Sequence, residues 1–119
     1  MSKKLISLVI PAFNEEGNIL SLYQTVSKAV PDKYLVEFLF VDDGSNDHTL
    51  EVIRKLASKT EKVKYISLTR NFGHQYALKA GLDNALGDAV ISMDADGQHP
   101  ANLIPKLIKA WEQGYKIVY

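Results

Sequence analysis

The strongest constraint on the fold of this chain is a regular alternation between short apolar runs and longer amphipathic segments. The runs have the length of β-strands, and the segments between them repeat apolar residues every three or four positions, as one face of a helix does. Strands that are apolar along their whole length are typical of a parallel sheet covered on both faces. The sequence therefore predicts one α/β domain, a three-layer α/β/α sandwich with a mainly parallel sheet.

The individual elements can be assigned from the same pattern. The predicted strands are Leu5 to Ile10, Val36 to Val41, Val63 to Leu68 and Ala89 to Met93, with Ile117 to Tyr119 beginning a fifth. The predicted helical faces are Ile19, Tyr23, Val26 and Val30; Leu50, Ile53 and Ala57; Leu78, Leu82 and Ala85; and Leu103, Leu107 and Trp111. Asn46 or Asp47 is expected to cap the second helix, Pro100 to begin the fourth, and Gly114 to end it in a left-handed conformation. Because the fifth strand has only begun, the sequence is interpreted as a fragment of a larger domain.

Composition excludes several classes of protein. Lys plus Arg and Asp plus Glu both number 14, so no net field favours nucleic acid or an anionic membrane surface. The absence of cysteine excludes disulfides and thiolate metal sites, which suits a cytoplasmic location. No apolar run is long enough to span a bilayer, and the dinucleotide, P-loop and G-x-S-x-G motifs are absent. We therefore expect no nucleic-acid partner, and any anionic ligand must be held by local groups.

Polar and acidic residues follow each of the four complete strands. In an open parallel sheet, ligands bind at the carboxyl ends of the strands. Each cluster has a second explanation, because Asp, Asn, Gly and Ser also form turns and cap helices. Four clusters at one edge nevertheless favour a binding site. They are Pro11 to Glu16, Asp42 to Asp47, Thr69 to His74 and Asp94 to His99.

The strongest of these signals is the pair Asp94 and Asp96. Two carboxylates two residues apart at a strand end point the same way, so they can share a hard divalent cation. Such an ion would neutralise a departing diphosphate. An isolated Asp-x-Asp is more often a turn with solvated side chains. Here Gln98 and His99 extend the polar set, and the metal interpretation is preferred.

Other polar residues have open assignments. The adjacent Asp42 and Asp43 face opposite ways, so one is predicted to meet a base or a ribose and the other to support the loop, unless both only cap and turn. Glu15 either favours the dipole of the first helix or contacts ribose. Arg70 and Lys79 are the candidates to meet phosphate, although exposed basic residues are usually solvated surface. The three histidines lack zinc-site spacing.

The order and spacing of these motifs resemble family 2 glycosyltransferases. The matching segments are Val9 to Glu16, Val41 to Ser45 and Asp94 to Pro100, and the resemblance spans residues 5 to 119. A further segment, Arg70 to Gln75, resembles the polyprenyl-phosphate branch, which includes dolichol-phosphate mannosyltransferases and undecaprenyl-phosphate glucosyltransferases. The resemblance implies a GT-A fold, a UDP- or GDP-sugar donor and a Mg²⁺ or Mn²⁺ ion.

The resemblance also implies roles for individual residues. Asp94 and Asp96 fall on the Asp-x-Asp motif as the catalytic and metal-binding pair, and Gln98 falls where the branch adds a metal ligand. Phe13 replaces a frequent tyrosine, so a hydroxyl contact is lost while stacking is kept. The residues that fall where the family binds the donor nucleoside are Pro11, Ala12, Phe13, Glu15 and, at the base, Asp43.

The chemistry that the resemblance implies is inverting sugar transfer, with a polyprenyl phosphate as the expected acceptor. The alternatives are a saccharide acceptor in cell-wall or polysaccharide synthesis, and a nucleotide-binding module without catalysis. We expect the acceptor site and any membrane contact to lie outside this sequence, with the whole protein in the cytoplasm or at the cytoplasmic face of a membrane. The isolated chain is expected to transfer no sugar and to self-associate through its open strand edge.

Overall fold

The structure, a computed structural model, describes residues 3–96 and 101–114 and contains a four-stranded, all-parallel sheet. The spatial strand order is β3-β2-β1-β4, so the chain moves outward in one direction and then crosses to the other side of β1. The strands are β1 Leu5–Ala12, β2 Leu35–Asp42, β3 Val63–Ser67 and β4 Ala89–Ser92. The helices are α1 Ile19–Ala29, α2 Thr49–Lys59, α3 His74–Asn84 and α4 Ile104–Glu112, the last preceded by a 3₁₀ turn, Ala101–Leu103. The predicted α/β sandwich and its four complete strands are confirmed, while Ile117 to Tyr119 and Pro100 lie outside the described residues.

One face of the sheet carries the apolar core. Alternate residues of β1 and β2 point to this face and are fully buried, among them Ile10, Phe38 and Phe40. They pack with the apolar sides of α1, α2 and α4, and the ring of Tyr23 meets Phe38 edge-on at 4.9 Å. Each large apolar side chain buried in this way contributes roughly 1.5–3 kcal/mol. This core holds the four strands in one register and so sets where their carboxyl ends lie.

The other face is covered by α3, and here the predicted helix face is wrong. Its buried residues are Ala77 and Gly81, whereas Leu82 is exposed and Ala85 lies beyond the last helical residue. The reason is close packing, because a Cβ atom on Gly81 would lie 2.3 Å from Cγ1 of Val9 in β1. Small residues let the helix approach the sheet, so apolar periodicity alone misidentified the contact face.

A buried polar network lies on this second face, at the amino-terminal half of the strands. Glu37 is 4% exposed, and its carboxylate accepts hydrogen bonds from Ser7 Oγ (2.5 Å), Leu86 N (2.8 Å) and Lys64 Nζ (3.1 Å). Ser7 Oγ in turn accepts the Gly87 amide. Burial opposes ionisation of Glu37, but these hydrogen bonds outweigh it and hold its pKa below the usual value. The network fastens the α3–β4 loop to the sheet.

The helix ends agree only in part with the sequence. Asp47 accepts the Thr49 amide at the start of α2, as predicted, although His48 occupies the N-cap position itself. Gly114 follows α4 with φ 98°, the left-handed conformation expected after a helix. Glu15 is not an early-helix acid, because α1 begins at Ile19 and its first turn holds no acidic residue. The dipole assignment of Glu15 is therefore wrong.

Candidate functional site

Two adjoining depressions lie at the carboxyl edge of the sheet, where the four strands end. The first, which we call the Phe13 cleft, has a volume of about 210 Å³ and is lined by Pro11, Ala12, Phe13, Asp43, Asn71 and His74. The second, the Asp94 pocket, has a volume of about 240 Å³ and is lined by Pro11, His74, Leu78, Ser92, Met93 and Asp94. Pro11 and His74 belong to both linings. The edge therefore brings together residues that the sequence assigned separately to a nucleoside and to a metal.

The first two loops of this edge are hydrogen-bonded to each other. Asn14 has a left-handed backbone conformation with φ 55°. Its side-chain Oδ1 accepts a hydrogen bond from the backbone amide of Asn46, and its own backbone amide donates to Ser45 Oγ. The Glu15 amide donates to Thr49 Oγ1, which itself hydrogen-bonds Asp47. Burial opposes ionisation of Asp47, but bonds from Thr49 and from backbone amides lower its pKa. The loop after β1 is thus held in place by the loop after β2.

Asp43 supports the loop between β3 and α3. It is 4% exposed, and its two carboxylate oxygens accept the amides of Phe72 (2.8 Å) and Gly73 (3.1 Å). The same loop also rests on Gly44, where a Cβ atom would lie 2.2 Å from the backbone carbonyl carbon of Arg70. The sequence predicts that one member of the pair Asp42 and Asp43 supports the loop and that the other meets a base or a ribose, and Asp43 supports the loop. Recognition of a base by Asp43 stays a prediction, and a ligand there would share oxygens that already hold the loop.

Asp42 has unused hydrogen-bonding capacity. It is 2% exposed, and its Oδ2 accepts a long bond from the Ser45 amide (3.4 Å). Its Oδ1 is buried and has no hydrogen-bond partner in the part of the chain that the structure describes. An unsatisfied buried acceptor costs roughly 1–3 kcal/mol. Such a cost at the carboxyl end of a strand is typical of a group that is satisfied by a ligand or a water molecule, although Asp42 itself lines neither depression. The open acceptor of the pair is thus Asp42 rather than Asp43.

His74 is the residue that the sequence reasoning missed. It is the first residue of α3, and its Nε2 lies 2.9 Å from Oδ1 of Asp94. Histidine spacing in the sequence speaks only against a zinc site and predicts no role for His74. Its position in the sequence could have indicated a place in the site. His74 ends the polar cluster after β3, and parallel strands bring the carboxyl-terminal clusters to one edge, where the cluster after β4 also lies.

Asp94 and Asp96 both present exposed carboxylates on either side of the buried Ala95. Among residues 3–96 and 101–114, no three His, Asp or Glu side chains group together as a ready-made metal cage. Mg²⁺, however, is commonly held by one or two carboxylates with water and substrate phosphates completing the shell. The two hard oxygen donors therefore fit a divalent ion that arrives with a phosphate ligand. Gln98, the third predicted ligand, lies outside the described residues.

The remaining predicted residues lie outside both linings. Arg70 stacks over the Phe72 ring, with its guanidinium carbon 4.6 Å from the ring centroid. Lys79 pairs with Asp83 one helical turn away, and both side chains are largely exposed. The Glu15 carboxylate accepts the side-chain amide of Asn18. Contact of these three with a donor stays a prediction.

Comparison with known proteins identifies relatives of the whole segment. The sequence profile of glycosyl transferase family 2 matches residues 7–119. The chain is 48% identical over 114 residues to a bactoprenol glucosyl transferase of Shigella phage SfX, covering 95% of this chain and 37% of that protein. The chain spans a little over a third of the length of such curated relatives. Within the described ranges, no helix is long and apolar enough to cross a bilayer.

Solved structures with the same fold contain nucleotides and metal ions. The glucosyl-3-phosphoglycerate synthase of Mycobacterium tuberculosis, solved with Mn²⁺, uridine diphosphate and glucosyl-3-phosphoglycerate, has a TM-score of 0.69 at 31% identity, over 91% of this chain and 39% of that one. A Pyrobaculum calidifontis mannosyltransferase, solved with GDP-mannose and Mn²⁺, has a TM-score of 0.68 at 25% identity, over 80% and 28% of the two chains. These likenesses confirm the predicted GT-A architecture.

Proposed function

The chain belongs to glycosyl transferase family 2, and we propose that it forms the donor-binding part of an inverting enzyme that transfers a sugar from a nucleoside diphosphate to a polyprenyl phosphate. Its similarity to a bactoprenol glucosyl transferase supports the lipid-phosphate acceptor. The protein then works at the cytoplasmic face of a membrane, and residues beyond this segment supply the acceptor site.

The observation that carries the proposal is the continuity of the two depressions. Ligand pockets usually occupy about 300–1,000 Å³, so neither depression alone is large enough for a nucleotide sugar. Joined across Pro11 and His74, they extend from Phe13 to the Asp94 carboxylate. A nucleoside beside Phe13 would direct its diphosphate toward Asp94. This arrangement matches the chemical order of a nucleotide sugar, in which the diphosphate lies between nucleoside and sugar.

The reaction breaks one bond at the anomeric carbon and forms another. An acceptor phosphate oxygen attacks from the face opposite the nucleotide, and the bond to the nucleoside diphosphate oxygen breaks with both its electrons leaving on the diphosphate. The acceptor is already ionised at neutral pH, so no general base is required. A divalent ion held by Asp94 and Asp96 would neutralise charge on the leaving diphosphate.

The role of this segment is to bind and orient the donor. Phe13, about a third exposed at the cleft, offers an aromatic face to a base. We assign the Asp42 Oδ1, which has no partner among the described residues, to a base imide or a ribose hydroxyl, although Asp42 lines neither depression. Asp43 keeps the β3–α3 loop in place. Without a cation, the carboxylates of Asp94 and Asp96 would repel a diphosphate by about 1 kcal/mol per charge pair in water and several times more when partly buried. Donor binding is therefore expected to require the metal.

The test is calorimetric titration of uridine and guanosine diphosphates into the protein, first with Mn²⁺ and then with a chelator. We expect binding of one nucleotide with Mn²⁺ and at least tenfold weaker binding without it. The double substitution Asp94→Asn with Asp96→Asn should remove the difference between the two conditions, because it removes the charges that the cation bridges.

A matched control removes the same charge elsewhere. Asp32→Asn with Glu61→Gln replaces two exposed carboxylates that lie outside both linings and should keep the wild-type dependence on Mn²⁺. Equal nucleotide affinity of the wild type with Mn²⁺ and with chelator would contradict the metal assignment.

A further inference from the structure

We propose that His74 is a positioning residue that orients the Asp94 carboxylate for the divalent ion, and that Asp43 fixes His74 through the β3–α3 loop. The inference rests on the proposed function and adds a residue to it. The geometry is direct, since Nε2 of His74 lies 2.9 Å from Oδ1 of Asp94. Within residues 3–96 and 101–114, the contact recorded for Asp94 uses Oδ1, which leaves Oδ2 to face a cation.

Asp94 needs such a partner because of where it lies. It follows β4, a four-residue strand at the edge of the described sheet, and its side chain is 64% exposed. An exposed carboxylate samples several rotamers, and ordering it on metal binding costs conformational entropy. A hydrogen bond from the His74 ring orders the Asp94 carboxylate before the metal binds, so less conformational entropy is lost on binding. Groups that hydrogen-bond metal ligands commonly alter metal affinity about 10–100-fold when they are replaced.

His74 is itself held in place by the second strand. Asp43 accepts the amides of the two residues before it, Phe72 and Gly73, and Gly44 lies against the backbone of Arg70. Gly73 then turns the chain into α3 with φ 101°, a conformation that side chains other than glycine rarely adopt. The backbone position of His74 is thus set by Asp43, which lines the Phe13 cleft. The loop joins the nucleoside side of the site to the carboxylate side.

The alternative is that His74 serves only to begin α3. The geometry is against this, because no side-chain hydrogen bond caps that helix and the imidazole is 56% exposed. The ring also lies between the two depressions and lines both. A ring needed only for the fold would be expected to pack into the core rather than at this boundary.

The test measures Mn²⁺ affinity by electron paramagnetic resonance in the full-length protein, with saturating uridine or guanosine diphosphate. His74→Phe keeps a ring and removes the nitrogen donor, and we expect about a tenfold loss of Mn²⁺ affinity. His74→Gln can place an amide nitrogen near the Nε2 position and should recover most of the loss. His48→Phe is the matched control, since that exposed histidine also lies near a carboxylate, Glu16, but outside both linings, and it should bind Mn²⁺ as the wild type does.

A double-mutant cycle identifies the route of the effect. In an Asp94→Asn background, His74→Phe should cause no further loss, because the carboxylate that His74 orients for the cation is already gone. Two results would overturn the positioning role and leave the proposed function intact. One is wild-type Mn²⁺ affinity in His74→Phe, and the other is a full tenfold loss of Mn²⁺ affinity when His74→Phe is added to Asp94→Asn. Absence of Mn²⁺-dependent nucleotide binding in the wild type would overturn the proposed function and this role with it. Thermal unfolding of each variant checks the fold, and His74→Ala replaces His74→Phe if the latter is destabilised.

Discussion

Two buried carboxylates on the same strand, Glu37 and Asp42, have opposite surroundings. Glu37 lies in the amino-terminal half of β2 and accepts three hydrogen bonds, including one from Lys64. Asp42 ends the strand and accepts one long bond, and among the residues that the structure describes its Oδ1 has no partner. Both are almost fully buried, at 4% and 2% exposure. The difference lies in hydrogen-bond satisfaction rather than in burial.

We propose that this contrast separates a structural role, that of Glu37, from a ligand-binding role, that of Asp42. A satisfied buried carboxylate adds to stability, because each removed partner would leave another polar group unpaired. An unsatisfied one costs stability and is retained where a ligand can complete it. The amino-terminal half of the sheet therefore holds the fold together, and the carboxyl edge keeps capacity for binding.

The largest effect is expected from Glu37→Ala. The substitution leaves the Leu86 amide and the Ser7 hydroxyl without their acceptor, and the free energy of unfolding should fall by about 3 kcal/mol. Urea denaturation measures the change. Asp83→Ala is the control, since it removes a carboxylate paired with an exposed lysine and should cost at most about 0.5 kcal/mol. Similar losses in the two variants would remove the distinction between the buried network and an exposed pair.

A smaller effect is expected on acidification. Because the pKa of Glu37 is lower in the folded state, its ionised form contributes stability above the unfolded-state pKa of about 4.3 and loses it as the pH falls through the folded-state pKa. The difference in unfolding free energy between the wild type and Glu37→Gln should therefore shrink below about pH 4. Urea denaturation of both proteins between pH 3 and pH 7 follows this difference. A difference that is constant over that range would mean that Glu37 is not ionised in the network.

The smallest effect on stability is expected from Asp42→Asn. The carboxylate makes little use of its hydrogen-bonding capacity, and its replacement removes a buried charge, so unfolding free energy should change by no more than about 1 kcal/mol. Nucleoside diphosphate affinity should fall in the same variant, because the amide replaces one of the two carboxylate acceptors by an NH₂ donor and is the weaker acceptor at the other. Urea denaturation and calorimetry on one preparation compare the two quantities. A stability loss as large as that of Glu37→Ala with unchanged nucleotide affinity would reverse the assignment of roles on this strand.

Much of the fold was predictable because its signals are local. The β-strands are apolar along their length and the α1 face repeats at helical spacing, so both could be assigned residue by residue. The face of α3 could not, because Ala77 and Gly81 are buried through their small size against Val9. Apolar periodicity indicates which side of a helix avoids water, and it contains no information on how closely two backbones approach.

The candidate site divides in the same way. The sequence by itself determined which polar clusters follow the strands, and so placed Phe13, Asp43 and Asp94 at one edge, because parallel strands end on the same side of a sheet. The tertiary structure decided how these groups pair: that Asp43 holds the β3–α3 loop, that Asp42 keeps a free oxygen, and that His74 meets Asp94. Those pairings join residues about 20 to 30 positions apart, and their distances depend on strand order and loop packing, which no local pattern encodes.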